Sequence, residues 1–164
     1  MRNIIIIVTM LLFIISMAYS TYKKEDTLKN GTVLRLKLAP VDPRSLMQGD
    51  YMRLNFALLE KVNKKLLETS KKVSKLILLL NDKNEGKFIR FIDEQNLKGN
   101  EILLNFTYTK SEKYAISKIS TTSYFFEEGT GKKYEKAKYG EFRVAENGEA
   151  ILVHLLDDKF KLIK

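Results

Sequence analysis

Residues 4–18 read Ile-Ile-Ile-Ile-Val-Thr-Met-Leu-Leu-Phe-Ile-Ile-Ser-Met-Ala, and after Arg2 no charged side chain occurs until Lys23. Hydrocarbon left in water costs roughly 25 cal/mol per Å². A small soluble domain cannot carry so long an apolar run on its surface, so the run directs the remaining residues to a bilayer. The stretch is slightly shorter than the ~20 residues of a comfortable span, and Met1 and Tyr19-Ser20-Thr21 can extend it.

Two fates are open to this segment. A positive start, an apolar centre and the small residues Ala18 and Ser20 fit a secretory signal cleaved after Ser20. The bulky Tyr19 and Tyr22 at that site, and the lack of a cysteine for lipid attachment, favour an uncleaved single anchor. Lys23 and Lys24 oppose Arg2 in the positive-inside count, whereas the translocation of whole domains favours the C-terminal part outside. The expected organisation is a signal anchor or signal peptide at 1–22, a polar linker at 23–30 and a β-rich extracytoplasmic domain at 31–164. The expected location is the cell membrane as a single-pass protein, or secretion if the signal is cleaved.

The residues after the linker are enough for one domain with a real core. The absence of cysteine excludes disulfides, thiol catalysis and thiolate metal sites, so the domain must hold by packing alone. The formal charge of +9 comes from 29 Lys+Arg against 20 Asp+Glu, mostly as lysine. Such an excess suits a solvated face first, and otherwise an anionic lipid surface or a cell-wall polymer. Nucleic acid is not an expected partner, because an exported domain does not meet it.

Along the chain the period changes from two to 3.6 and back. Leu34, Leu36 and Leu38 alternate with Arg35 and Lys37 as a strand, and Tyr51 to Phe56 alternates as a second. Leu59, Val62, Leu66 and Val73 fall on one face of a helix over 58–72, with lysines elsewhere on it. Further strands are expected at 76–80, 87–92, 101–108, 114–120, 141–145 and 150–156, with a short one at 160–163. Asn147-Gly148 closes the last hairpin, and 135–139 can hold one helical turn. Many short strands with one early helix indicate a mainly β fold, a small antiparallel barrel or sandwich, preceded by the transmembrane helix.

Three groups of residues could carry chemistry. Pro40 and Pro43, the two prolines of the chain, stiffen a loop containing Asp42 and Arg44, and Gly49-Asp50 turns it into Tyr51. Asp42 and Asp50 can cap turn amides, or one can pair with Arg44. The loop reads either as a self-bonded strand connection or as a rigid Asp/Arg platform for a partner. The second group is Glu127, Glu128 and Glu135 with Gly129 and Gly131, preceded by Tyr124 and Phe125. Paired carboxylates can act as acid and base or hold a hard cation. With Lys132 and Lys133 among them, a solvated charged hairpin is the expectation, and Tyr124 and Phe125 are expected in the core. The third is His154, the single histidine, expected as a strand residue near an edge rather than a base. No catalytic residue, cofactor or metal ligand is assigned.

The stretch Leu38-Ala39-Pro40-Val41-Asp42-Pro43-Arg44-Ser45-Leu46-Met47-Gln48-Gly49-Asp50-Tyr51-Met52-Arg53-Leu54-Asn55-Phe56 resembles the signature of the GDYXXLXY family. Tyr124-Phe125-Phe126-Glu127-Glu128-Gly129-Thr130-Gly131-Lys132-Lys133-Tyr134-Glu135 is similar to that family's later YFVPEG-x-G-x-x-x-E segment, and Lys98-Gly99 falls where it tends to carry such a pair. The chain departs from the pattern at Phe56, in place of a tyrosine, at Glu127, in place of proline, and at Ser120-Thr121-Thr122-Ser123. The resemblance implies a membrane-anchored bacterial protein of unknown function working beside a multi-spanning membrane protein. A binding loop would then use Asp42, Arg44, Gly49, Asp50 and Tyr51. A second motif would use Tyr124, Phe125, Glu128, Gly129, Gly131 and Glu135. The alternative is a hydrolase of envelope material using Glu128 and Glu135 with Asp42 or Asp50. Binding of lipid or polymer by the lysine-rich helix is a third idea. A likeness to type I signal peptidases fails, since Val41 stands where their nucleophilic serine belongs.

Overall fold

The computed structural model describes residues 2–39, 51–70, 72–92 and 97–163. Helix α1 runs unbroken over Arg2–Asn30. Its apolar residues are exposed along the whole of 4–17, and it is long and apolar enough to cross a membrane. The segment expected as a linker is therefore helical. Lys29 pairs with Glu25, the Asn30 amide donates to Asp26, and the Thr27 hydroxyl donates to the Lys23 carbonyl. Local side-chain contacts of this kind favour continuing the helix over fraying.

Gly31 is the one residue between α1 and strand β1 (Thr32–Lys37). Its N–H donates to the Thr27 carbonyl at 2.9 Å, and its own carbonyl accepts from the Arg143 guanidinium at 3.2 Å. Thr27 is buried at this joint.

The strands follow as β2 (Tyr51–Arg53), β3 (Lys75–Leu80), β4 (Gly86–Phe91), β5 (Glu101–Asn105), β6 (Thr107–Lys110), β7 (Ala115–Lys118), β8 (Ser123–Phe125), β9 (Tyr139–Val144) and β10 (Ala150–Leu156). Helix α2 covers Leu58–Glu68, and α3 is a single turn over Gly131–Tyr134. Among the described residues the strands form four antiparallel sheets, ordered β1-β9-β10, β2-β8, β4-β3-β5 and β6-β7. They stack around one core in a sandwich-like arrangement and do not close into a barrel. Single bonds stitch the sheets together: Arg35 N–H to Asn84 O and Asn105 N–H to Gly148 O.

Strand alternation sets the core. Leu34 and Leu36 of β1, Leu76 and Leu78 of β3, Leu104, and Phe142 of β9 are fully buried. Leu59, Val62 and Leu66 bring the apolar face of α2 onto them. Phe56 and Phe142 meet edge to face with ring centroids 5.4 Å apart.

Several boundaries differ from the sequence reading. The helix stops at Glu68 rather than 72, because Thr69 turns extended and the Lys110 ammonium takes the Leu66 carbonyl at 2.6 Å. A cation on the last carbonyls ends a helix favourably. The strand expected over 101–108 is two strands broken at Phe106, and the helical turn falls at 131–134 instead of 135–139. The C-terminal segment contributes a single bridge, Leu156 to Leu162. His154 lies half-buried on edge strand β10 opposite Glu141, next to a bulge.

Candidate functional site

The segment Pro40 to Asp50, with Asp42, Arg44, Gly49 and Asp50, lies outside the described residues. Its flanks are defined. Ala39 N–H donates to Asn55 O at 2.8 Å, and Leu38 bridges Phe56, so the chain entering this segment is bonded to the chain leaving it. Tyr51, which follows Gly49-Asp50 in the first motif, opens β2.

The partner of β2 is β8, a strand the sequence reading did not identify. Tyr51 pairs with Phe125, Met52 with Tyr124 and Arg53 with Ser123, and Leu54 N–H donates to Thr122 O at 2.8 Å. The two motifs, more than seventy positions apart in the chain, thus form one two-stranded ribbon. Its period-two alternation sorts the side chains. Met52 and Leu54 point into the core, and Tyr124 is half-buried against Tyr134, with ring centroids 5.3 Å apart. Tyr51 and Phe125 take the other face, 5.9 Å apart, and Phe125 is 75% exposed. The expectation that Phe125 belongs to the core is corrected: in so short a strand, seating Tyr124 inward forces its neighbour out.

Burial raises the Tyr124 hydroxyl pKa above its ordinary value, and the nearby, hydrogen-bonded Tyr134 hydroxyl raises it further. Tyr124 is therefore a neutral hydrogen-bonding group at physiological pH, not a phenolate base. Behind it the chain turns sharply. Gly129 adopts φ +79°, a conformation that a residue with a Cβ resists, and Thr130 bonds back to the Glu127 carbonyl. Gly131 is buried and opens α3. Glu127, Glu128 and Glu135 are all exposed.

Two open cavities flank the ribbon. One, of about 670 Å³, is bounded by Tyr51, Arg53, Ser123, Phe125 and Lys118 of β7. The other, of about 390 Å³, is bounded by Met52, Arg53, Lys37, Lys138, Tyr134 and Glu135. Arg53 belongs to both, and each has basic side chains beside aromatic surface. Glu135 lines the second cavity and Glu128 lines neither, so these two carboxylates share neither of the two cavities. Among the described residues no three His, Asp or Glu side chains gather as a cation site.

Lys118 also lines a third cavity, of about 360 Å³, together with Lys24 of α1. The motif ribbon is thus continuous, through one lysine, with the end of the apolar helix. Arg53, Lys118 and Tyr134 were not singled out in the sequence. Arg53 sits inside the first motif at an outward position of an alternating strand, which was the available signal.

The family model for GDYXXLXY protein matches residues 11–155 of the chain. No curated protein and no solved structure matches it.

Proposed function

Because the chain belongs to the GDYXXLXY family, a family of unknown function whose members carry an apolar N-terminal helix, we propose that it is an anchored accessory domain. It works on the extracytoplasmic side and docks through the β2–β8 ribbon to a multi-spanning membrane protein. The observation that carries this reading is the ribbon itself. It joins the two motif segments, presents Phe125 and Tyr51 outward, and shares Lys118 with the cavity beside α1. Exposed aromatic side chains beside an arginine have the composition of binding hot spots. A rigid joint at Gly31 would hold that face close to the bilayer, within reach of a partner's short external loops. Asp42, Arg44 and Asp50, the polar residues of the first motif, would add contacts to that partner.

A photo-crosslinking amino acid placed at position 125 in intact membranes tests the proposal. The expected product is a discrete adduct with a multi-spanning protein, reduced when Arg44 or Asp50 is changed to alanine. Protection of the domain from protease in right-side-out vesicles, or crosslinking to lipid alone, would contradict it.

A further inference from the structure

We propose that the cavity between the membrane end of α1 and strands β5 to β7 holds the headgroup of an anionic phospholipid, of the phosphatidylglycerol kind. Its position comes first. The apolar run of α1 ends at Tyr22, Lys23 and Lys24 follow, and Thr27, one turn further, is buried at the cavity. A helical turn rises about 5.4 Å, and the headgroup layer is roughly 5–7 Å deep on each side of the hydrocarbon. A bilayer-spanning α1 therefore sets this cavity at headgroup height.

The lining supplies the matching chemistry. Lys24 and Lys118 come from two separate elements, Thr107 adds a hydroxyl, the Ser120 hydroxyl donates to the Ala150 carbonyl, and Glu149 is the one carboxylate among the described lining residues. Two ammonium groups and a hydroxyl suit a phosphodiester. Asn105 lines the same cavity, while its Oδ1 is buried against Gly148 and takes no part in the site. The volume of about 360 Å³ is room enough for a headgroup. The inference rests on α1 spanning the bilayer and is independent of ribbon docking.

The test uses the full-length chain in phosphatidylcholine vesicles doped with photoactivatable phosphatidylglycerol or photoactivatable phosphatidylcholine. Phosphatidylglycerol is expected to label the protein more strongly, within residues 24–31 or 105–120. K24Q/K118Q should cut that labelling at least fivefold, on the scale of about one lysine-lipid interaction. Both lysines are exposed, so the variant should fold. K64Q/K65Q, which removes the same charge from α2, should change nothing. Equal labelling by the two lipids, an equal loss in K64Q/K65Q, or full competition by soluble glycerol phosphate would overturn the assignment. A chain that alkali strips from the vesicles would overturn the anchoring and the site together.

Discussion

Tyr51 and Phe125 stand opposite each other across the β2–β8 ribbon, their rings 5.9 Å apart and tilted by 45°. That contact brings residues of two distant motifs onto one face. An aromatic pair at the surface of a domain with a complete core elsewhere contributes little to folding, so its use lies in what it can touch.

Phe125→Ala should accordingly leave stability within about 0.5 kcal/mol of the parent, while the crosslinked or co-purified partner is lost. Thermal unfolding together with affinity capture from solubilised membranes reads both quantities. Loss of fold without loss of capture would reverse the assignment of this residue.

The core behaves oppositely. Phe142 is fully buried and packs edge-on against Phe56. Phe142→Ala should cost about 3–5 kcal/mol, through lost transfer energy and the cavity left behind. Denaturant titration measures it, and a cost below about 1 kcal/mol would mean the site collapses freely.

Gly31 makes the joint between helix and sheet. A Cβ there would press on the Thr27 carbonyl oxygen and the Val144 backbone, neither of which can rotate away. Gly31→Ala should destabilise by about 1–3 kcal/mol and loosen α1 from β9. Hydrogen exchange at Thr27 and Val144 would report the loosening, and unchanged protection would argue against a rigid joint.

Acid should weaken the domain through two carboxylates. Hydrogen bonds from the Arg90 guanidinium, at 2.7 and 3.0 Å, hold Glu101 below its ordinary pKa. The backbone N–H groups of Lys161 and Lys159 do the same for Asp157. Each binds its proton less readily folded than unfolded. The stability they add is present above the ordinary carboxylate pKa of about 4 and disappears as pH falls through the depressed values. Glu101→Gln with Asp157→Asn should flatten the fall in melting temperature between pH 5 and pH 2, on the order of those limits. An unchanged slope would place the acid sensitivity elsewhere.

The proposed anchoring depends on the uninterrupted apolar surface of α1. Ile7→Arg with Leu11→Arg should move the chain from the membrane pellet to the alkaline supernatant, since each central arginine costs about 2.5–3.5 kcal/mol on insertion. Retention of the double variant in the pellet would show that the domain itself binds the membrane.

Much of this architecture was legible beforehand because it rests on local periodicity. The apolar run, the alternation from Leu34 to Leu38 and the 3.6-residue spacing of Leu59, Val62 and Leu66 each mark an element and its buried face, independent of what packs there. The Asn147-Gly148 turn was equally plain, and Gly148 has the positive φ of +88° that such a turn needs. The helix end at Glu68 was not, because the lysine that caps it arrives from β6, forty-odd positions later. Strand β8 was invisible for a similar reason: three residues carry too little periodic signal without their partner.

The sequence by itself determined that this chain has an apolar helix long enough to cross a bilayer and a lysine-rich, mainly β domain, since hydrocarbon content and the alternation of strand side chains are properties of neighbours along the chain. Only the tertiary structure decided that Tyr51 and Phe125 share a face, that α1 passes into the sheet through a single glycine, and that Lys24 and Lys118 line one cavity. Those relations are pairings across long loops, set by which edges and faces meet when the core closes, and no local pattern encodes them.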